Sequence, residues 1–427
     1  MTSHPSAPAP SFWTSAALRC LLALLCCVGF ARADDFALRD GDTVAFLGDS
    51  ITGARGYSKV IETYTLLRFP ERKIRFVNVG QGGETAKGSL ARLDEAVFAR
   101  GATVLTVAYG INDIGWGTKA DAQHKNDYLT AIGEIVRRCQ EKGVRVYICS
   151  AAITAENPDT AEKEFLQTMC DEGLALAQSR GAGVIDVQRS MRAVQRRVLE
   201  RNKNKPDKDK PDSLHAPDGV HLNDLGQMAM AMAILKGLGA PADVSSATID
   251  ARAAAATQAS ECEITGIAAE GKNLTFTRLD RRLPLNLQPL WMIQGFFMPI
   301  GEELNRYGLA ITNLPPGRYD VLAGGRKLGN WSAEELAKGL NLASASAEPW
   351  EPGGPWHAQG QFLKTLTDMR DELDWAGRDL KKFLTAHPAQ AKLAARAHEI
   401  EESLISLQRE LAQPVPTVFT VREVEAK

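Results

Sequence analysis

The chain has 427 residues, 44% of them hydrophobic and 24% charged, enough apolar material for a sizeable core and too much length for one ordinary domain. A formal net charge of −2 leaves no concentrated basic surface for phosphates, so no nucleic-acid partner is expected. Beyond the N-terminus no apolar stretch reaches the length of a bilayer span, so no stable membrane insertion is expected.

Taken in order, the chain opens with a secretory pattern. Arg19 precedes the apolar run Cys20 to Phe30, and Ala31-Arg32-Ala33 has the small-x-small form of a cleavage site. Residues 1–33 therefore read as a signal peptide, with an exported, periplasmic or secreted product. Cys20, Cys26 and Cys27 would leave with it, and Cys139, Cys149, Cys170 and Cys262 would remain. One disulfide among these four is open in an oxidising compartment; their spacing assigns none and matches no C-x-x-C metal pattern.

From Asp42 strand-like and helix-like patterns alternate. Strands are expected at Val44–Leu47, Ile74–Val79, Thr103–Ala108, Val144–Ser150 and Val184–Val187. Helices are expected at Tyr57–Phe69, Leu90–Phe98, Asp121–Glu141, Thr160–Ser179 and Asp224–Leu238, the last capped by Asn223 or Asp224. Repeated βα units of this length predict an α/β fold, a parallel sheet with helices on both faces. Residues 201–212 read as a charged, proline-broken loop.

After Gly239-Ala240-Pro241 the character changes. Short strands are expected within 262–283 and 309–324, and Ser332 with Glu335 forms a capping box before a further helix. Residues 342–358 look like a connector, and 360–383 and 389–411 like a helical hairpin broken at His387-Pro388.

Four positions carry candidate chemistry. The first is Ser50, where Val44-Ala45-Phe46-Leu47 runs straight into Gly48-Asp49-Ser50. A serine at the carboxyl end of a parallel strand lies where α/β folds bind ligands, although Gly-Asp-Ser alone is also ordinary turn chemistry. The second is Gly83 in Asn78-Val79-Gly80-Gln81-Gly82-Gly83-Glu84-Thr85, where a glycine lets a backbone N–H approach a ligand; Gly80 and Gly82 are alternatives in the same block. The third is Asn112 in Gly110-Ile111-Asn112-Asp113, whose side-chain N–H could meet charge developing on a carbonyl oxygen. The fourth is the pair Asp218 and His221, three residues apart, a carboxylate that could orient an imidazole; capping or a surface pair is the plainer alternative. His215 lies close to this pair without a role, and His124 sits on an expected helix face.

Together, Ser, Gly, Asn and then Asp-x-x-His in this order resemble the SGNH (GDSL-type) hydrolases over about residues 41–240. The resemblance implies a three-layer, flavodoxin-like hydrolase domain over 34–241, followed by a mixed β/α extension (242–345) and a linker with the helical hairpin (346–427). It further implies Ser50 as nucleophile, His221 as general base, Asp218 as its orienter, and an oxyanion hole of Ser50, Gly83 and Asn112, with no cofactor and no metal. It implies ester hydrolysis and, for an exported member, removal of O-acetyl groups from a carbohydrate or small-molecule ester. The alternatives are a lysophospholipase or thioesterase, or an inactive exported glycan-binding protein using Trp331, Trp350, Trp356 and Trp375. The sequence gives no oligomeric state.

Overall fold

A computed structural model describes residues 36–206, 209–286, 295–348, 350–384 and 388–424. The expected signal peptide and His387 lie outside the described residues.

The first part of the chain forms β1 (Thr43–Gly48), β2 (Arg75–Asn78), β3 (Val104–Ala108), β4 (Arg145–Cys149) and β5 (Gly183–Ile185). These strands make one parallel sheet with the order β2-β1-β3-β4-β5. β1 and β3 are buried on both faces, which explains their unbroken apolar runs. The helices that frame this sheet are the one-turn α1 (Ser50–Gly53), then α2 (Gly56–Arg68), α3 (Ala122–Glu141), α4 (Phe165–Ser179), α5 (Val187–Asn202) and α6 (Asp224–Gly237). Helix α6 packs against α2 and α5, while α3 packs against α4, giving the two outer layers of a three-layer α/β domain.

Several boundaries differ from expectation. The stretch expected as a helix over Leu90–Phe98 is instead two single turns, Ala86–Ser89 and Leu93–Ala96, and a 3₁₀ turn at Phe98–Arg100. Arg92 sits between them at φ −115°, off helical values, with its guanidinium on Glu84. The expected helix at Thr160 starts only at Phe165. Helix α5 begins at Val187, where only the end of a strand is expected, and the helix itself is an addition to the expected elements. Asn223 is the N-cap of α6, its side chain accepting from the Gly226 N–H.

The remaining chain adds β6 (Asp243–Asp250), β7 (Ala255–Ser260), β8 (Cys262–Glu270), β9 (Asn273–Asp280), β10 (Arg306–Thr312), β11 (Arg318–Ala323), β12 (Arg326–Ser332), β13 (Leu340–Asn341) and β14 (Thr417–Glu423). They build two further sheets, one with the order β13-β10-β6-β7 and the other β12-β11-β14-β9-β8. A buried network ties the two sheets. Arg278 donates to Asp280 (2.8 Å), Ser245 (2.8 Å) and the Gly308 carbonyl (2.9 Å), and Tyr307 donates to Asp280 (2.6 Å). Between β12 and β13 lies α7 (Ala333–Lys338), with the Ser332–Glu335 capping box formed.

The hairpin is α8 (Pro355–Leu384) and α9 (Pro388–Leu411). It lies along α2: Arg370 donates to both carboxylate oxygens of Glu62, at 3.1 and 2.6 Å, and Gln408 joins them at 2.9 Å. The C-terminal stretch is not a hairpin alone, because β14 follows it and pairs with β9 and β11. Cys139, Cys149, Cys170 and Cys262 are free thiols, and the first three are buried core residues.

Candidate active site

The site assembles at the carboxyl ends of β1, β2 and β3. The last residue of β1, Gly48, has to be glycine, because a Cβ there would come within 2.1 Å of the Thr52 hydroxyl and 2.8 Å of the Ala108 carbonyl. Asp49 then caps α1, its carboxylate accepting from the Ile51 N–H at 2.9 Å. Burial pushes the Asp49 carboxyl up to about 6, while the Ile51 N–H and nearby His221 pull the other way. Ser50 opens the turn, half-buried. Gln227 on α6 secures the turn from behind, accepting from the Tyr57 N–H (2.9 Å) and donating to the Ile51 carbonyl (3.3 Å).

Asp218 and His221 come from the loop before α6. The loop is framed by Ala216 N–H on the His221 carbonyl (2.8 Å), Gly219 N–H on the Ala216 carbonyl (3.0 Å) and Ala155 N–H on the Gly219 carbonyl (2.8 Å). His215 braces it from below. It is buried, and its Nε2 pairs with the Ile153 carbonyl at 3.0 Å. Burial lowers the His215 pKa, which keeps the ring neutral and structural. His124 lies elsewhere, on the first turn of α3 beside its capping residue Asp121.

Ser50, His221 and Asp218 meet in one chain of hydrogen bonds. The Ser50 hydroxyl lies 2.9 Å from His221 Nε2, and His221 Nδ1 lies 2.6 Å from Asp218 Oδ2. A carboxylate accepts only, so Nδ1 carries the proton and donates, which leaves Nε2 to accept from the serine. Asp218 also accepts from the Val220 and His221 N–H groups, each at 2.9 Å. The imidazole bond first, and these two N–H groups after it, hold the Asp218 carboxyl down to about 2. It is therefore ionised throughout the neutral range.

The Gly83 and Asn112 segments lie side by side. Asn112 Nδ2 donates to the Glu84 carbonyl at 3.1 Å, and the Ala86 N–H donates to Asp113 at 2.9 Å. Gly80 is taken up in structure: its N–H donates to Asn78 Oδ1 at 3.0 Å, and a Cβ on it would strike Gly53 N at 2.3 Å. Gly83 is exposed, with φ +74°, in a turn closed by Glu84 N–H on the Gln81 carbonyl (3.2 Å). Behind this turn the buried Glu84 side chain is held by Arg92 and Tyr109.

One residue at the site escapes the sequence motifs. Trp116 donates its indole N–H to Asn112 Oδ1 at 2.9 Å and meets the His221 ring edge-on, with centroids 5.6 Å apart. Its signal in the sequence is the bracket Gly115-Trp116-Gly117, shortly after Asn112.

No group of three or more His, Cys, Asp or Glu able to hold a metal occurs among the described residues, and no helix among them is long and apolar enough to cross a membrane.

A three-layer α/β domain with polar side chains gathered at the carboxyl edge of its sheet, together with the sequence of residues 46–229, defines an ester-hydrolysing enzyme. Residues 46–229 match the model of the GDSL-like Lipase/Acylhydrolase family. Among solved structures, "BT4096 a gut microbial diltiazem-metabolizing enzyme" is similar at 23% identity and a TM-score of 0.79, covering 91% of this chain and 100% of that one. The shared fold therefore extends into the β-rich region and hairpin. LAE5, an alpha/beta hydrolase enzyme from the metagenome of Lake Arreo, Spain, aligns at 22% identity and a TM-score of 0.39, covering 48% of this chain and 98% of that one. Axe2, an acetylxylan esterase from Geobacillus stearothermophilus, aligns at 22% identity and a TM-score of 0.40, covering 48% of this chain and 96% of that one. No curated protein sequence matches the chain.

Proposed function

We propose that the chain is a serine esterase working by two-step acyl transfer, with Ser50 as nucleophile. The observation that carries this reading is the Ser50–His221–Asp218 hydrogen-bond chain, at 2.9 and 2.6 Å, which joins the serine to a histidine 171 positions away in sequence. His221 Nε2 takes the serine proton as Oγ attacks the ester carbonyl. The resulting imidazolium, steadied by Asp218, passes that proton to the departing alkoxide and leaves an acyl-serine. Water then attacks the acyl-serine, its proton going to the same imidazole and on to Ser50 as the acid leaves. The oxyanion is held by the N–H groups of Ser50 and Gly83 and by Asn112 Nδ2. Asn112 suits the task because its other amide contacts are already satisfied.

The substrate we propose is an O-acetyl group on a carbohydrate. Besides the resemblance to exported family members, a groove of about 720 Å³ beside the Gly80–Gly82 loop supports it. The groove is lined by Arg92, Arg100 and Trp375 of the hairpin, and the guanidinium of Arg55 lies 5.3 Å from the Trp375 ring centre. A half-exposed indole beside fixed guanidinium groups is suited to a polyhydroxylated ring more than to an acyl tail. In this reading residues 1–33 direct export, 34–241 are the hydrolase unit, and 242–345 with 346–427 form an extension that borders its substrate groove.

The test is hydrolysis of p-nitrophenyl esters by residues 34–427, with wild type beside Ser50→Ala. Activity abolished in the variant, with a sharp preference for acetate over longer acyl chains, is expected. Activity on long chains would turn the reading to a lysophospholipase or thioesterase. Equal rates in both proteins would leave Ser50 as turn chemistry and favour a glycan-binding protein.

A further inference from the structure

Trp116 occupies a position that its own packing does not justify. Its backbone lies in the left-handed region at φ 58°, ψ 35°, between Gly115 and Gly117, which also have positive φ. A bulky residue is strained there, and functional sites are where such strain is retained. Burial does not offset the strain, since the ring is 50% exposed. What the conformation achieves is a pair of contacts. The indole N–H reaches Asn112 Oδ1 at 2.9 Å, and the ring stands edge-on to His221 with an interplanar angle of 73°. Backbone bonds hold the turn in place, with Trp116 N–H on the Ile111 carbonyl and Lys119 N–H on the Ile114 carbonyl, at 3.0 and 2.9 Å.

The consequence concerns which end of the Asn112 carboxamide faces the reaction. An indole N–H only donates and a backbone carbonyl only accepts, so Trp116 takes Oδ1 and the Glu84 carbonyl takes one hydrogen of Nδ2. This pair of partners excludes the flipped amide and leaves the second Nδ2 hydrogen free. We propose that Trp116 is a positioning residue for ester hydrolysis: it locks the Asn112 carboxamide with its N–H presented to the oxyanion. The inference rests on the reading of Asn112 as an oxyanion donor.

Trp116→Phe keeps an aromatic ring and removes only the N–H. We expect kcat on p-nitrophenyl acetate to fall about tenfold with KM unchanged, short of the hundredfold or more that follows loss of a donor outright. In an Asn112→Ala background the same change should have no further effect on kcat. The pH dependence of kcat should be the same in Trp116→Phe and wild type, because the His221–Asp218 pair is untouched. Equal losses in both backgrounds, an unchanged kcat in Trp116→Phe, or a displaced pH profile would overturn the proposal; the last would mean that the ring acts through the imidazole. Ser50→Ala, measured alongside, separates the two levels. If it retains activity, the serine reading itself fails. If it is inactive while the cycle is additive, only the role of Trp116 fails.

Discussion

Asp113 stands next to Asn112 and faces inward, accepting the Ala86 N–H at 2.9 Å from a nearly fully buried position. Burial, with some repulsion from Asp49, pushes its carboxyl up to about 7 from an ordinary 3.8. A carboxyl raised in the folded state contributes its stability below the unfolded value and loses it as the pH climbs through the folded one. The contribution is thus complete below about pH 4 and gone above about pH 7. Asp113→Asn keeps an acceptor for Ala86 and cannot ionise. Its Tm should exceed that of wild type at pH 8.5, and the difference should shrink steadily as the pH falls and vanish only below about pH 4; a difference independent of pH would show that Asp113 is ionised and well solvated. At this scale much of the site is legible in the sequence, because Gly-Asp-Ser, Asn112 and Asp218-x-x-His221 occur in one order along alternating strands and helices. Trp116 is not legible there, because its importance lies in a left-handed backbone angle and a bond to a carboxamide, neither of which hydrophobic periodicity reports.

Elements show the same division. The hairpin is visible as helical spacing on either side of His387-Pro388, yet spacing says nothing of where it docks. It docks on α2 through Glu62 and Arg370, both almost wholly buried, with Gln408 satisfying a further carboxylate position. Burial raises the Glu62 pKa and Arg370 opposes it, so the carboxylate depends on its partner. Arg370→Met should destabilise the protein by about 3–5 kcal/mol, because it leaves a buried charge without a counter-ion. Arg370→Met with Glu62→Leu should recover most of that loss in urea denaturation; a double variant as unstable as the single one would mean that packing, not charge, is the cause. Helix α5 lies within reach of the sequence, since Val187, Met191, Val194 and Val198 recur at helical spacing and are all buried. Strand β14 is harder. Its seven residues alternate in burial only because β9 and β11, about 140 and 100 residues away, enclose it.

For the whole molecule, that last strand matters most. β14 is the central strand of the β12-β11-β14-β9-β8 sheet, and its Phe419 stacks on Phe276 at 5.1 Å and on Trp356 of the hairpin at 6.0 Å. A chain ending at Ala412 would leave two open strand edges and expose the faces that Phe419 and Val421 cover. Such a chain should bind ANS strongly, with residues 262–411 losing their resistance to limited proteolysis. Protection equal to the full chain would show that the sheet closes without its central strand. The sequence alone determined the parallel α/β unit and the identity of its polar residues, because buried parallel strands and amphipathic helices are written locally as runs and periods. Only the tertiary structure decided that Ser50 and His221 lie 2.9 Å apart, that Trp116 bonds Asn112, that the hairpin docks on α2 and that the end of the chain completes a sheet. Each of these depends on a partner far away in sequence or on a backbone angle, and neither is encoded in the order of neighbouring residues.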